Sequence, residues 1–156
     1  MFVSRKLIKF FDDLISSYPP ASSEIVGWSS KESQLKRFDA LTGVADLNLA
    51  SVLDVGCGVG DLSVYLRNNY EGVIYKGIDI HPEMIKLARK KYPDVTFDKK
   101  DVKDAKGRYD YVLVSGAFNL LVEDNMRYLA DHLNFIDVLV RKGFAFNLLS
   151  SYTSLE

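Results

Sequence analysis

Ser51-Val52-Leu53-Asp54-Val55-Gly56-Cys57-Gly58-Val59-Gly60-Asp61 reads as a buried strand, a glycine-rich turn and the start of a helix. Val52, Leu53 and Val55 suit a strand covered on both faces, as in a parallel sheet. Three glycines follow at alternate positions, so the backbone can approach a ligand with no side chain in the way. Asp61 stands where a helix N-cap belongs. A dinucleotide-binding turn, Gly-x-Gly-x-x-Gly, sets a pyrophosphate on the helix N-terminus. Here the third glycine comes one place early, at Gly60, and Asp61 holds the place that pattern reserves for glycine. A carboxylate at that positive pole competes with a phosphate. The turn therefore points to a nucleoside ligand without phosphates.

Outward from the turn, strands and helices alternate. Leu62, Val64, Tyr65 and Leu66 predict a helix over 61–69, and Val73 to Ile80 a second strand ending in Asp79. Pro82 opens a helix to Lys91 with Met84, Ile85 and Leu87 apolar, and Pro93-Asp94 breaks it. Val95 to Phe97 is a short third strand. Residues 99–108 are too polar and too few for a good crossover helix, and Asp110 to Ser115 is the fourth strand. Met126, Leu129, Leu133, Ile136 and Val140 lie three and four apart, the pattern of an amphipathic helix. Lys142-Gly143 is expected to end it before a fifth strand over 144–149. On the N-terminal side, Leu7, Ile8, Phe10, Phe11, Leu14 and Ile15 predict a helix over 6–17, stopped by Tyr18-Pro19-Pro20. A capping box from Ser29 to Glu32 opens another, with Leu35, Phe38 and Leu41 on one face and Gly43 near its end. The alternation implies parallel βαβ units with right-handed crossovers, an α/β fold of three layers in a doubly wound sheet. The expected organisation is a helical cover over 1–46, an α/β core over 47–154, and an expression-tag scar at Leu155-Glu156.

Composition narrows the function classes. In 156 residues, 20 basic side chains face 21 acidic ones for a net charge of −1, so no basic excess argues for nucleic acid as an obligate partner. The single cysteine, Cys57, excludes an internal disulfide and suits a reducing cytoplasm. No apolar run is long enough to span a membrane, and no signal peptide is evident. Cys57 between glycines reads as a small packing residue. His81 and His132 stand alone, without metal-ligand spacing, so no metal is expected.

In a doubly wound sheet the ligand lies past the carboxyl ends of the strands, where strand order reverses. An acid at the end of the second strand, about 20 residues beyond the turn, suits ribose hydroxyls. Asp79 is there, with capping of the Pro82 helix as the structural alternative. Asp54 is an acid in an apolar strand end, so donors should surround it.

The motif from Asp54 to Gly60 resembles the first motif of the class I S-adenosylmethionine-dependent methyltransferases, and the resemblance extends from Trp28 to Ser150 with the other parts in order. It implies a Rossmann-like sheet of strand order 3-2-1-4-5. Family members usually continue with two more strands, so the sequence reads as truncated after the fifth, or as an unusually small sheet. It implies S-adenosylmethionine as cofactor and S-adenosylhomocysteine as product. Gly56, Cys57, Gly58 and Gly60 would form the turn around the cofactor, with Asp54 near its amino group. Asp79 and the adjoining Ile80 would meet the ribose, Asp101 the adenine amino group, and the Val102 backbone the ring. Asp101 in a solvated charge run is the rival reading. Ser115, Gly116 and Phe118 would lie near the methyl group or the adenine. Arg37 could pair with the cofactor's carboxylate bidentately, with Trp28, Gln34 and Tyr18 as further candidates for that edge.

Adenine-methylating members carry Asn/Asp-Pro-Pro-aromatic after the fourth strand. Ser115-Gly116-Ala117-Phe118-Asn119 stands there instead, which argues against nucleic-acid bases as substrate. A small-molecule acceptor is the expectation. Methyl transfer needs alignment and desolvation more than a dedicated base, so no catalytic residue is assigned. Asn119, Glu123 and Asp124 face the acceptor side by position alone. Two alternatives stand beside this reading: a domain that holds the cofactor without transfer, and an NAD(P)-dependent oxidoreductase, against which the displaced glycine and Asp61 speak.

Overall fold

The computed structural model describes residues 2–20, 22–119 and 124–148. Predicted features at Glu123, Leu149, Ser150 and Leu155-Glu156 lie outside them. Five strands form one sheet in the order β3-β2-β1-β4-β5, every neighbouring pair parallel. They are β1 (Ser51–Val55), β2 (Ile74–Asp79), β3 (Thr96–Lys99), β4 (Tyr109–Val114) and β5 (Val140–Phe146). The helices are α1 (Phe2–Ser17), α2 (Lys31–Thr42), α3 (Asp61–Asn69), α4 (Pro82–Lys91) and α5 (Asn125–Asp137). Short 3-10 turns over Ser23–Val26 and Val102–Asp104 complete the described elements. No described helix is long and apolar enough to cross a membrane.

The central strand shows why the sequence takes this form. Successive side chains alternate across a sheet. Val52 faces the layer of α2 and α3, packing with Phe38, Leu41, Leu62 and Leu66. Leu53 and Val55 face the opposite layer with Val112, Val114 and Ile136 of α5. Val52 and Leu53 are fully buried, each burial favouring the fold by about 1.5–3 kcal/mol. Strand order reverses between β1 and β4, where a crevice opens at the carboxyl ends.

Several boundaries differ from the sequence expectation, among them the start of α1, which opens at Phe2 and not at Lys6. The α2 cap is Ser30, whose side chain accepts from Ser33 N–H at 3.1 Å. Glu32 pairs with Lys36 instead of closing a capping box, and Leu35 is 39% exposed while Gln34 is buried. The N-cap of α3 is Gly60, and Asp61 is the first helical residue. Helix α5 ends at Asp137, and Val140, expected at its end, opens β5. Tyr109 and Arg108 explain the last difference. Tyr109 N–H donates to the Leu139 carbonyl at 2.8 Å and Arg108 Nη2 to the Val140 carbonyl at 2.9 Å, drawing the chain into the sheet early. Lys142 and Gly143 then lie within the strand, Gly143 opposite Tyr111.

Candidate functional site

A cavity of about 680 Å³ opens at the carboxyl ends of the strands. Its volume suits a small-molecule pocket, for which about 300–1,000 Å³ is typical. The turn after β1 forms its floor. Gly56 and Cys57 donate their N–H groups to the Ile78 carbonyl at 2.9 and 3.0 Å, tying the turn to β2. Gly58 N–H donates to Asp79 Oδ2 at 2.9 Å, and His81 N–H donates to Oδ1 at 2.8 Å. Asp79 therefore clamps the glycine turn to the start of α4 while lining the cavity. Burial pushes its carboxyl up, and the His81 and Gly58 N–H groups offset this only in part.

Asp54 lines the same floor, 2% exposed, and accepts a hydrogen bond from the Tyr75 hydroxyl at 2.6 Å. Burial pushes it up to about 7, the Tyr75 bond pulls it down, and Asp79 adds a further rise. The Cys57 thiol is pushed well up by burial and by Asp54 and Asp79. It stays protonated and takes the packing role expected of it.

Asp61 behaves differently. Burial alone would raise it, but Lys91 at 2.6 Å, the Tyr92 hydroxyl at 2.6 Å and Lys31 at 3.2 Å hold it below the usual carboxylate range. Its carboxylate is thus already engaged by cations from the ends of α2 and α4.

Across the cavity, the loop after β4 packs on Trp28. A Cβ at Gly116, whose φ is +76°, would stand 2.8 Å from the Trp28 ring. Gly116 N–H donates to Asn147 Oδ1 at 2.8 Å. Ser115 Oγ is buried with no hydrogen-bond partner among the described residues. Asp101 lines the cavity and caps the following 3-10 turn, accepting from Lys103 N–H at 3.2 Å.

The structure brings most of the expected residues together. Asp54, Gly56, Cys57, Gly58, Asp79, Ile80, Asp101, Val102, Ser115, Gly116 and Phe118 all line this cavity, as do Trp28 and Gln34. Gly60 and Arg37 do not. Gly60 has φ +82° and faces the Phe97 ring, which a Cβ would strike, so its role is to let α3 start against β3. Arg37 lies with its guanidinium 5.1 Å over the Trp28 ring, held in a cation–π contact on the outer side. Tyr18 is 43% exposed and also off the wall. Asp124 caps α5 through Arg127 N–H.

Two parts of the wall have side chains that the sequence reading did not single out for the site, the first of them within the expected helical cover. Leu7, Ile8 and Phe11 of α1 roof the cavity. His81, 1% exposed, joins that helix to the floor: its Nε2 lies 3.3 Å from the Ile8 carbonyl and 3.2 Å from Asp12. The second part is a stripe on α5, Tyr128, Asp131, His132 and Phe135. Its i, i+3, i+4, i+7 spacing was the available signal, overshadowed by the aliphatic stripe of Leu129, Leu133 and Ile136. Among the described residues no group of three or more metal-ligating side chains converges.

Residues 52–139, more than half of the chain, match the family model described as a methyltransferase domain. Rv1506c of Mycobacterium tuberculosis, a protein that carries a methyltransferase name, is 32% identical over 112 residues, 66% of this chain and 65% of that protein. Magnesium protoporphyrin IX methyltransferase of Synechocystis PCC 6803, solved with bound S-adenosylhomocysteine, superposes with a TM-score of 0.56 at 25% identity, covering 69% of this chain and 51% of that one. The PH0226 protein of Pyrococcus horikoshii gives a TM-score of 0.64 at 22% identity over 84% of this chain and 63% of its own. The chain thus spans under two thirds of the length of each of these relatives.

Proposed function

The chain belongs to the methyltransferase-domain family, and on that premise we propose that it transfers a methyl group from S-adenosylmethionine to a small-molecule acceptor held in this cavity, in the cytoplasm. The charge of the cavity wall carries the proposal. Five carboxylates line it, Asp54, Asp61, Asp79, Asp101 and Asp131, against two lysines, Lys100 and Lys103. Asp61 is neutralised by its cations and Asp101 pairs with Lys103 at 3.5 Å, yet Asp54, Asp79 and Asp131 against Lys100 leave a wall that favours a ligand bearing a sulfonium and an ammonium and disfavours a pyrophosphate.

The residues present fit that cofactor. Asp54 is a buried acid with one donor, the Tyr75 hydroxyl, and capacity left for the ligand's ammonium. Asp79 spends one lone pair of each oxygen on the backbone and retains others for two ribose hydroxyls. Asp101 and the Val102 backbone stand where an adenine edge would be read, with the Phe118 ring available to cover its face. Gly56 and Gly58 let the ligand reach the backbone of the turn.

When bound, S-adenosylmethionine supplies a methyl group already activated by its positive sulfur. The chain's own contribution is alignment and exclusion of water. Leu7, Ile8 and Phe11 of α1 line one side of the cavity, and the acids would orient the ligand from the other. A cavity of this size suits a small acceptor, and a single buried thiol suits a reducing cytoplasm.

Calorimetry on the full chain with S-adenosylmethionine, S-adenosylhomocysteine and NADH tests the reading. The first two should bind and NADH should not. No binding of either sulfur compound at millimolar concentration refutes it. A radiolabelled-methyl screen against small-molecule extracts then separates a transferase from a domain that only holds the cofactor.

A further inference from the structure

A second cavity, of about 430 Å³, lies on the outer face of α2. Ser30, Glu32, Ser33, Lys36 and Arg37 line it from the helix side, and Asn147, just after β5, lines it from the sheet. None of these residues lines the main cavity. Trp28 is the partition between the two. Its ring lines the main cavity, where it packs against Gly116, and the Arg37 guanidinium lies 5.1 Å over it. Helix α2 belongs to the layer of α3, on the face of the sheet opposite Val102 and Phe118, so this pocket stands apart from the adenine edge of the main one.

The lining is rich in hydrogen-bond donors and holds one carboxylate. That carboxylate, Glu32, is taken by Lys36 at 2.7 Å. Arg37 is half-buried, and among the described residues no carboxylate pairs with it. The indole beneath it attracts the charge but offers no lone pair to its N–H groups. Asn147 Oδ1 accepts from Gly116 N–H at 2.8 Å, which fixes the amide with Nδ2 as a donor. Nδ2 is buried with no hydrogen-bond partner among the described residues. Ser30 Oγ accepts from Ser33 N–H at 3.1 Å, so its own hydrogen is left to donate. With Lys36 and Glu32 cancelling, the pocket keeps one positive charge, that of Arg37.

We propose that this pocket is a second binding site, separate from the cofactor cavity, for a small organic monocarboxylate that Arg37 holds bidentately. Guanidinium and carboxylate match in two parallel hydrogen bonds, a geometry that lysine cannot reproduce. One uncompensated charge suits one carboxylate, whereas a phosphate monoester brings about 1.5–2 negative charges at neutral pH. The Asn147 amide and the Ser30 hydroxyl supply further donors at the rim of the same pocket. A ligand seated there touches the outer side of what builds the main cavity: Trp28 through Arg37, and the loop after β4 through the Asn147 bond to Gly116. The site is independent of the methyl-transfer reading, which concerns the other side of Trp28.

Trp28 is the only tryptophan in the chain, so its emission reports on the guanidinium above it. The test titrates the full chain with sodium butyrate against sodium chloride at equal ionic strength, following Trp28 emission and, in parallel, heat. The wild type should show saturable binding at millimolar butyrate and none with chloride. Arg37→Gln should lose it. Arg37→Lys keeps the charge without the fork and should bind about tenfold more weakly. Glu32→Gln releases Lys36 to the ligand and should bind more tightly. Sodium phosphate should compete about tenfold less well than a second carboxylate, acetate. Saturating S-adenosylhomocysteine should leave butyrate affinity within about twofold, and Arg37→Gln should bind S-adenosylhomocysteine as the wild type does. The proposal is overturned by a wild type without saturable binding in either emission or heat, by equal binding in Arg37→Gln, or by phosphate binding more tightly than butyrate. It is also overturned if S-adenosylhomocysteine displaces butyrate, which would put Arg37 on the cofactor's own carboxylate. A wild type that binds butyrate but not S-adenosylhomocysteine refutes the methyl-transfer reading alone and supports this site.

Discussion

Replacing Asp54 with asparagine should make the ligand-free protein more stable and the ligand-bound one weaker. In the folded state the Asp54 carboxyl is pushed up to about 7, from an ordinary value of 3.8, chiefly by burial. Between those two pH values the folded protein holds a proton that the unfolded chain has released. Stability therefore falls as pH rises across that window and is lowest above it. A gap of about three pH units at ~1.36 kcal/mol each corresponds to about 4 kcal/mol, fully expressed at pH 8 and absent near pH 4. An asparagine at this position carries no such proton, yet its side-chain oxygen can still accept from Tyr75. Asp79 is also raised and is present in both proteins, so only the part of its contribution that does not depend on Asp54 cancels in the comparison. Urea denaturation of wild type and Asp54→Asn at several pH values between 4 and 8.5 measures the difference. The variant should overtake the wild type by up to about 4 kcal/mol as pH rises. A difference in stability that does not change with pH refutes the reasoning. Calorimetry gives the other half. Wild-type affinity for S-adenosylhomocysteine should rise with pH through about 7, as the carboxylate forms. In Asp54→Asn it should be at least tenfold weaker and insensitive to pH across the same range. A buried acid that destabilises the empty site and strengthens the filled one is a cost of function.

Tyr75→Phe removes the donor that pulls the Asp54 carboxyl down, so the pH at which ligand affinity rises should move upward in calorimetric titrations. Asp79→Ala strands the Gly58 and His81 N–H groups; a loss of about 1–3 kcal/mol in stability by urea denaturation and a similar loss in S-adenosylhomocysteine affinity are expected, and unchanged affinity would sink its ribose role. Gly60→Ala should lower stability by about 2–4 kcal/mol through left-handed strain and collision with Phe97, with part of the loss recovered in a Gly60→Ala, Phe97→Leu double variant followed by thermal melting.

The strand ends were legible and the wall directions were not, and the two have different physics. A parallel strand buried on both faces writes itself as an apolar run, and topology then carries its last residue to the crevice. That is why Asp79 could be placed at the crevice from its strand, while Asp54 and Asp101 were given their ligand roles by the family resemblance. Helices offer no such anchor. A period of 3.6 says which residues share a face but not which face meets a cavity. On α5 the aliphatic stripe was read, and the Tyr128–Phe135 stripe beside it was not. Arg37 lies off the cavity wall for a related reason. A long cation on a helix far from any fixed point takes the partner that packing offers, and here that partner is the outer face of Trp28. The α5–β5 boundary was set by long-range hydrogen bonds from Arg108 and Tyr109, which local sequence around Val140 does not reveal.

The glycine turn itself acquires a different meaning from this packing. Glycines there could serve the ligand, by keeping side chains out of its way, or the protein, by letting other segments close in. The contacts favour both in different places. A Cβ on Gly56 would meet Ala117 at 2.6 Å, and one on Gly58 would meet Val26 at 2.7 Å. Gly60 is closed off by Phe97. The three positions thus receive the loop after β4, the N-terminal cover and β3, and the first two also line the cavity. The segments that build the pocket converge on the turn because it has no side chains, and the Gly58 N–H is left to fix the Asp79 carboxylate. Loss of one glycine would therefore displace a wall of the site as well as block its floor. A ligand that fits the turn alone is not specified by it; on the proposed reading the acids around the turn, Asp54, Asp79 and Asp101, are what would select a cation.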